Sequence, residues 1–425
     1  MSTHFLLLVI ISFVTLIIIT INKKMGNSVF VPPVFLFLNV TINLFFGILF
    51  IDFQYNVVGV FYLLAMVVVS FALSIPILSL LNENKRETKN TAQLYFKSEL
   101  SRKIVIVIFI IALLSPIYSV LKNGISIQNL FNFQELINYN ATVAKSRYSG
   151  SGSSGGAINS LLLITVYAAP MIGGTHKGLF QKQKIGYITL IPSILTVLLT
   201  NTKAGMIASV VVFICGWIIG QIIKVGKPVI NLKNFLLSII AGLMLLVFLI
   251  FSMLLRIGNF SQQMVFNIWE KFVMYAFGDV PAFNSWLMNH QISSFGFGEN
   301  LFIGLFNMLG LSERVQGLYT DVVYLPSSGL VTNVFSAFRA LILDFSWFGG
   351  ILFIGIFTII STFSFFKVKN GENVAFYGFI LMNFYFFTVY SKFTSIWTYS
   401  SYIFALVLYG VYLAVIIKKD NNWEK

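Results

Sequence analysis

The chain has 425 residues, 57% of them hydrophobic and 16% aromatic, with only 10% charged, a net charge of +14 and a mean hydropathy of +0.87. So apolar a composition excludes a soluble domain and marks an integral membrane protein, in which an excess of Lys and Arg needs no nucleic acid to explain it. A single cysteine, Cys215, set inside an apolar run, excludes a disulfide framework and a cysteine metal site.

Apolar runs of about 20 residues mark membrane helices. The first run, FLLLVIISFVTLIIITI (Phe5–Ile21), is longer than a signal-peptide core and lacks a small-residue cleavage site, which predicts a permanent span. About eleven spans are expected along the chain, over 4–22, 28–51, 56–81, 103–121, 157–175, 184–200, 204–223, 234–254, 340–366, 373–390 and 396–417. The expected fold is therefore an all-α, polytopic helix bundle forming one membrane domain over residues 1–425. Alternate connections concentrate the cations: Lys23 and Lys24, six between Lys85 and Lys103, then Lys177, Lys182, Lys184, Lys224, Lys227, Lys233, Lys367, Lys369, Lys418, Lys419 and Lys425. Cation-rich short connections face the cytoplasm, so the amino terminus is expected outside and the carboxyl terminus inside.

Two outer connections are long, 122–156 and 256–339. The first ends in AKSRYSGSGSSGG (Ala144–Gly156), too poor in apolar surface to order itself. Its glycines suit close approach of backbone amides to an anion; the competing reading is a solvated linker. It is no Walker-type loop, because Ala157 and Ile158 follow where Lys and Ser/Thr are required. The second contains NIWEKFVMYAFGDVPAFNSWLMNH (Asn267–His290) and NLFIGLFNMLGL (Asn300–Leu311), whose spacing predicts amphipathic helices. Two placements stay open for them, in the outer interface or packed on the bundle.

Several outward cations sit at headgroup depth. Lys203 occupies the polar turn of LLTNTKAGMIASV (Leu198–Val210), and Arg339 lies in TNVFSAFRALILDFSWFGG (Thr332–Gly350) at the entry to a late span. A salt bridge from Arg339 to Asp344 is the plain structural reading, yet a spacing of five is poor for pairing on one helix face. Charges at membrane depth usually face a cavity or a partner. Arginine donates paired hydrogen bonds to phosphoryl oxygens and lysine supplies a point charge, so Arg147, Lys203, Arg256 and Arg339 together suit a lipid pyrophosphate. A group that accepts a proton from a sugar hydroxyl would come from the long loop, where His290 and Asp321 are the candidates. Tyr319 and Tyr324 flank Asp321 and suit either stacking on sugar faces or anchoring at the interface. No Asp-x-Asp metal motif stands in the outer loops, and neither metal nor cofactor is expected. No internal duplication with broken helices at matching positions suggests a transporter.

The stretch TNVFSAFRALILDFSWFGG resembles the signature before a late membrane helix in the O-antigen polymerases, the Wzy-type oligosaccharide repeat-unit polymerases. SRYSGSG and TNTKAG are similar to family elements too, and Arg339 followed by ten residues and Gly350 resembles an arginine-to-glycine repeat of the outer loops. Arg147 departs from that repeat, with Ile158 where a glycine is expected. The resemblance implies a metal-independent membrane glycosyltransferase with a GT-C-like fold in a bacterial inner membrane. It would polymerise undecaprenyl-pyrophosphate-linked repeat units into O-antigen or capsular polysaccharide on the outer face. Its partners would be lipid-linked donor and acceptor glycans and the bilayer, with a chain-length regulator as an optional one. The alternatives are an O-antigen ligase, which shares the donor, and a polysaccharide flippase or other transporter.

Overall fold

The computed structural model of the protein describes residues 3–53, 55, 57–83, 94–122, 132, 134–135, 138–139, 156–200, 203–257, 261–289, 295–313, 322–324 and 331–419. These residues form an all-α, polytopic membrane fold. Seven helices are long and apolar enough to cross a bilayer: α1 (Thr3–Lys24), α2 (Pro32–Phe50), α3 (Val57–Glu83), α4 (Ser98–Lys122), α5 (Gly156–Leu179), α7 (Lys203–Val225) and α12 (Ala337–Lys369). The remaining expected runs form shorter apolar helices: α6 (Ile191–Thr200) with the 3₁₀ turn before it, part of α8 (Leu232–Ile257), α13 (Val374–Tyr390) and α14 (Ser400–Ile416). Several hydroxyls inside these helices are satisfied locally. Thr41, Ser70, Ser74, Thr358 and Thr362 each donate to the carbonyl four residues back, which removes the cost of a bare hydroxyl in hydrocarbon.

The second long loop is largely structured among its described residues. It contains α9 (Gln262–Phe277), α10 (Asp279–Asn289) and the short α11 (Ile303–Met308), then the strands β2 (Val323–Tyr324) and β3 (Val331–Thr332), paired antiparallel with Val323 opposite Thr332. A further pair joins β1 (Leu94–Phe96) and β4 (Ile417–Lys419).

The chain divides into two compact units, and α9 and α14 pass from one to the other. One unit spans 95–272 and 404–418. Its centre is the α5–α7 pair, brought into backbone contact by glycine. A Cβ at Gly174 would overlap the Phe213 carbonyl oxygen, and one at Gly220 would lie 2.6 Å from the Thr175 carbonyl oxygen. A buried polar cluster ties α4, α5 and α14 together. Ser101 Oγ lies 2.7 Å from both His176 Nδ1 and the Tyr412 hydroxyl, while Thr175 Oγ1 lies 2.9 Å from the Tyr409 hydroxyl. His176 Nε2 meets Gln183 Oε1 at 2.8 Å, so both ring nitrogens are engaged.

The other unit spans 1–94, 273–403 and 419–425. Here α2 packs on α1 and α3, and α12 on α3 and α13. Helix α10 packs against α2, α3 and α12, burying Val280, Phe283, Trp286 and Leu287; of the two placements open to this segment, the structure takes packing on the bundle. Helix α12 is broken. Ser346 adopts a left-handed conformation (φ 69°), at a cost of about 1 kcal/mol or more. In an unbroken helix the Leu343 and Asp344 carbonyls would accept amides four residues on. They instead accept the N–H groups of Gly296 and Phe297, at 3.1 and 3.2 Å.

Candidate functional site

The break in α12 explains most of the sequence motif around it. Asp344 is fully buried, and its Oδ1 accepts the Asn300 N–H (3.0 Å) and the Asn300 side-chain amide (2.8 Å), while Oδ2 accepts the Leu301 N–H (2.7 Å). A Cβ at Gly296 would overlap Asp344 Oδ1, which requires glycine there. From the other side Ser395 Oγ donates to the Leu301 carbonyl at 2.7 Å. The Tyr62 hydroxyl reaches the Trp347 carbonyl at 3.0 Å, close above Gly350, where a Cβ would come within 2.8 Å of it. Asp344 therefore anchors the 296–301 segment to α12, and the motif is a structural joint.

Arg339 lies three residues into α12, so the helix starts before it and the residue belongs to the first turn rather than the loop. It is 8% exposed, with its guanidinium over the Phe335 ring at 4.3 Å and the Trp286 ring at 5.1 Å. Stacking of this kind fixes the plane in which the arginine's fork of donors lies. The Ala337 N–H donates to the Ser391 carbonyl at 2.7 Å, which sets the end of α13, and with it Lys392, beside the first turn of α12. Lys392 is half-buried with its ammonium over Phe393.

Asp279 lies within electrostatic reach of Lys392. It begins α10, is 5% exposed and accepts the Asn43 side-chain amide of α2 at 2.8 Å. Gly278 before it lies against Thr332, four residues upstream of Ser336. Burial raises the Asp279 carboxyl to about 7, although Lys392, Asn43 and the backbone amides of Asp279 and Val280 all favour its charged form. Burial also lowers the Lys392 ammonium, against the pull of Asp279. The Tyr55 phenol is raised by burial, then by the charges of Asp279 and Asp52. Asn43 Oδ1 beside Asp279, Ser336 Oγ at the start of α12 and Thr388 Oγ1 in the last turn of α13 are buried polar atoms that lack a hydrogen-bond partner. A native interior normally satisfies such atoms.

The other residues expected to act are distributed differently. Lys203 opens α7 in the unit of 95–272, half-buried. Arg256 stands in the last turn of α8, with its side chain outside the described residues. Tyr324 is 68% exposed on β2. Arg147, His290, Tyr319 and Asp321 lie outside the described residues. Comparison with protein-family models, curated proteins and solved structures finds no match to this chain.

Asn43, Asp279 and Lys392 are the members of the group that sequence reasoning left unselected. Each had a signal. Asn43 is an amide in the middle of an apolar span, Lys392 a lone cation between two aromatic-rich spans, and Asp279 a carboxylate at a helix start, Asp-Val-Pro.

Proposed function

We propose that the protein is a membrane glycosyltransferase that extends a lipid-linked glycan, polymerising undecaprenyl-pyrophosphate-linked repeat units on the outer face of a bacterial inner membrane. The observation that carries this reading is a stacked, buried Arg339 in the first turn of α12, a turn that the Ala337–Ser391 backbone hydrogen bond ties to the residue preceding Lys392. Two cations held by packing suit a pyrophosphate leaving group. Charge develops on the bridging oxygen as the sugar departs, and fixed cations in a water-poor site stabilise that charge without reorganising. The resemblance of residues 332–350 to the O-antigen polymerases agrees with this chemistry. Exclusion of water by the aromatic floor of Phe335 and Trp286 would favour transfer to a sugar hydroxyl over hydrolysis.

The test is glycan length in a strain lacking the gene, complemented with wild type or Arg339→Ala at matched membrane abundance. Wild type restores long chains and Arg339→Ala leaves single repeat units. Long chains persisting on the carrier in the null strain would overturn the reading in favour of a ligase or a transporter.

A further inference from the structure

We infer that Asp279 is the catalytic proton acceptor of this glycosyl transfer and that Asn43 orients the acceptor sugar against it. The inference rests on the transfer reading and names a residue in that site. In the step it describes, an acceptor hydroxyl oxygen forms a bond to the anomeric carbon of the donor sugar. The bond from that carbon to the pyrophosphate oxygen breaks, and its electron pair leaves with the pyrophosphate, which Arg339 and Lys392 hold. The hydroxyl proton passes to the Asp279 carboxylate, so charge and atoms balance without a metal or further co-reactant.

Three observations support it. A carboxylate this deeply buried, 5% exposed, is costly to keep charged unless it serves some purpose, and it lies within electrostatic reach of Lys392. Asn43 donates its amide nitrogen to Asp279 and leaves Oδ1 buried with no partner, an acceptor waiting beside the carboxylate. Sugars present vicinal hydroxyls, so one can donate to Asp279 while its neighbour donates to Asn43 Oδ1. Ser336 Oγ and Thr388 Oγ1, on the turns that carry Arg339 and Lys392, are likewise buried and unsatisfied. They fit further polar groups of the same ligand.

A proton acceptor works best when its acidity matches the ambient pH, and Asp279, raised to about 7 by burial, meets that condition. The charged and titratable groups facing it are Lys392 from the end of α13 and Tyr55 from the turn before α3, with Asp52 beyond. A tyrosine raised further stays neutral across this range, so Lys392 is the charged group that modulates the carboxylate, beside the hydrogen bonds from Asn43 and the backbone.

The experiment uses the full chain in liposomes with a synthetic undecaprenyl-pyrophosphate-linked repeat unit, reading extension rate against pH and, separately, equilibrium binding of the lipid pyrophosphate. The wild-type rate should rise about tenfold per pH unit below about 7 and level above it. Asp279→Asn should lose roughly 100-fold or more in rate and bind the lipid pyrophosphate within about threefold of wild type. Lys392→Ala should shift the rising limb to higher pH, because it removes the cation that favours the charged carboxylate. A flat wild-type profile, or Asp279→Asn extending within about threefold of wild type, overturns the inference while the transfer reading stands. A wild type that binds the lipid and extends nothing overturns the transfer reading and the inference with it. The wild-type profile decides the matter even where Asp279→Asn fails to fold.

Discussion

Replacing Asp344 tests whether the late-helix motif is a joint. Its two carboxylate oxygens take three donors from Asn300 and Leu301 in a fully buried site. Asp344→Ala leaves two backbone amides and one side-chain amide without an acceptor. A hydrogen bond to a charged group contributes about 1.5–3 kcal/mol, so each amide loses protection worth roughly ten- to hundredfold in hydrogen exchange. Asp344→Asn should fall between, because its retained oxygen still serves one amide while its new NH₂ group meets the other donor head on. The assay is hydrogen exchange at residues 296–303 in lipid nanodiscs, with the amides of α3 as an internal standard. Gly296→Ala should loosen the same segment by displacing Asp344 Oδ1, and the two changes should be less than additive because they break one contact. Unchanged exchange at Asn300 and Leu301 in Asp344→Ala would refute the joint and leave the motif without a structural explanation.

Two further outcomes concern packing and titration. Gly174→Ala drives a methyl into the Phe213 carbonyl and should destabilise the unit built on α5 and α7 by about 1–3 kcal/mol, read as a lower melting temperature in detergent. Asp279 is held above its ordinary carboxylate value, so its folded form prefers the proton. The stability this contributes is full below that ordinary value and is lost as pH rises through about 7, a swing on the order of 4 kcal/mol. Melting between pH 5.5 and 8.5 should therefore fall more in wild type than in Asp279→Asn; parallel curves would count against a buried, protonated carboxylate.

Sequence periodicity located the helical runs well, because a stretch of about 20 apolar residues has few other uses and membrane burial tolerates few other shapes. The start of α12 at Ala337, three residues ahead of the expected span, moved Arg339 into a helix turn. What the sequence did not show was the break at Ser346, since no proline or glycine sits there and the strain is held by partners some fifty residues away, Gly296 and Phe297. The same holds for Asp344. Its spacing from Arg339 argued against pairing along one face, but its actual donors, Asn300 and Leu301, lie in another part of the chain. Arg339 was legible from its charge at membrane depth, whereas its aromatic floor combines a neighbour, Phe335, with the distant Trp286. Asp279, Asn43 and Lys392 were each visible as isolated polar residues; only the fold brings α10, α2 and α13 to the first turn of α12. The division into two compact units has no marker in the sequence, because the chain crosses from one to the other inside the helices α9 and α14.

Purified protein in liposomes, supplied only with a synthetic undecaprenyl-pyrophosphate-linked repeat unit, tests whether this chain alone joins lipid-linked repeat units. Products are read by mass spectrometry together with released lipid pyrophosphate. A polymerase should yield a ladder of glycans on the lipid, one lipid pyrophosphate freed per added unit, and loss of both with Arg339→Ala. Intact single units under conditions where wild type binds the substrate, or a ladder undiminished by Arg339→Ala, would contradict that reading.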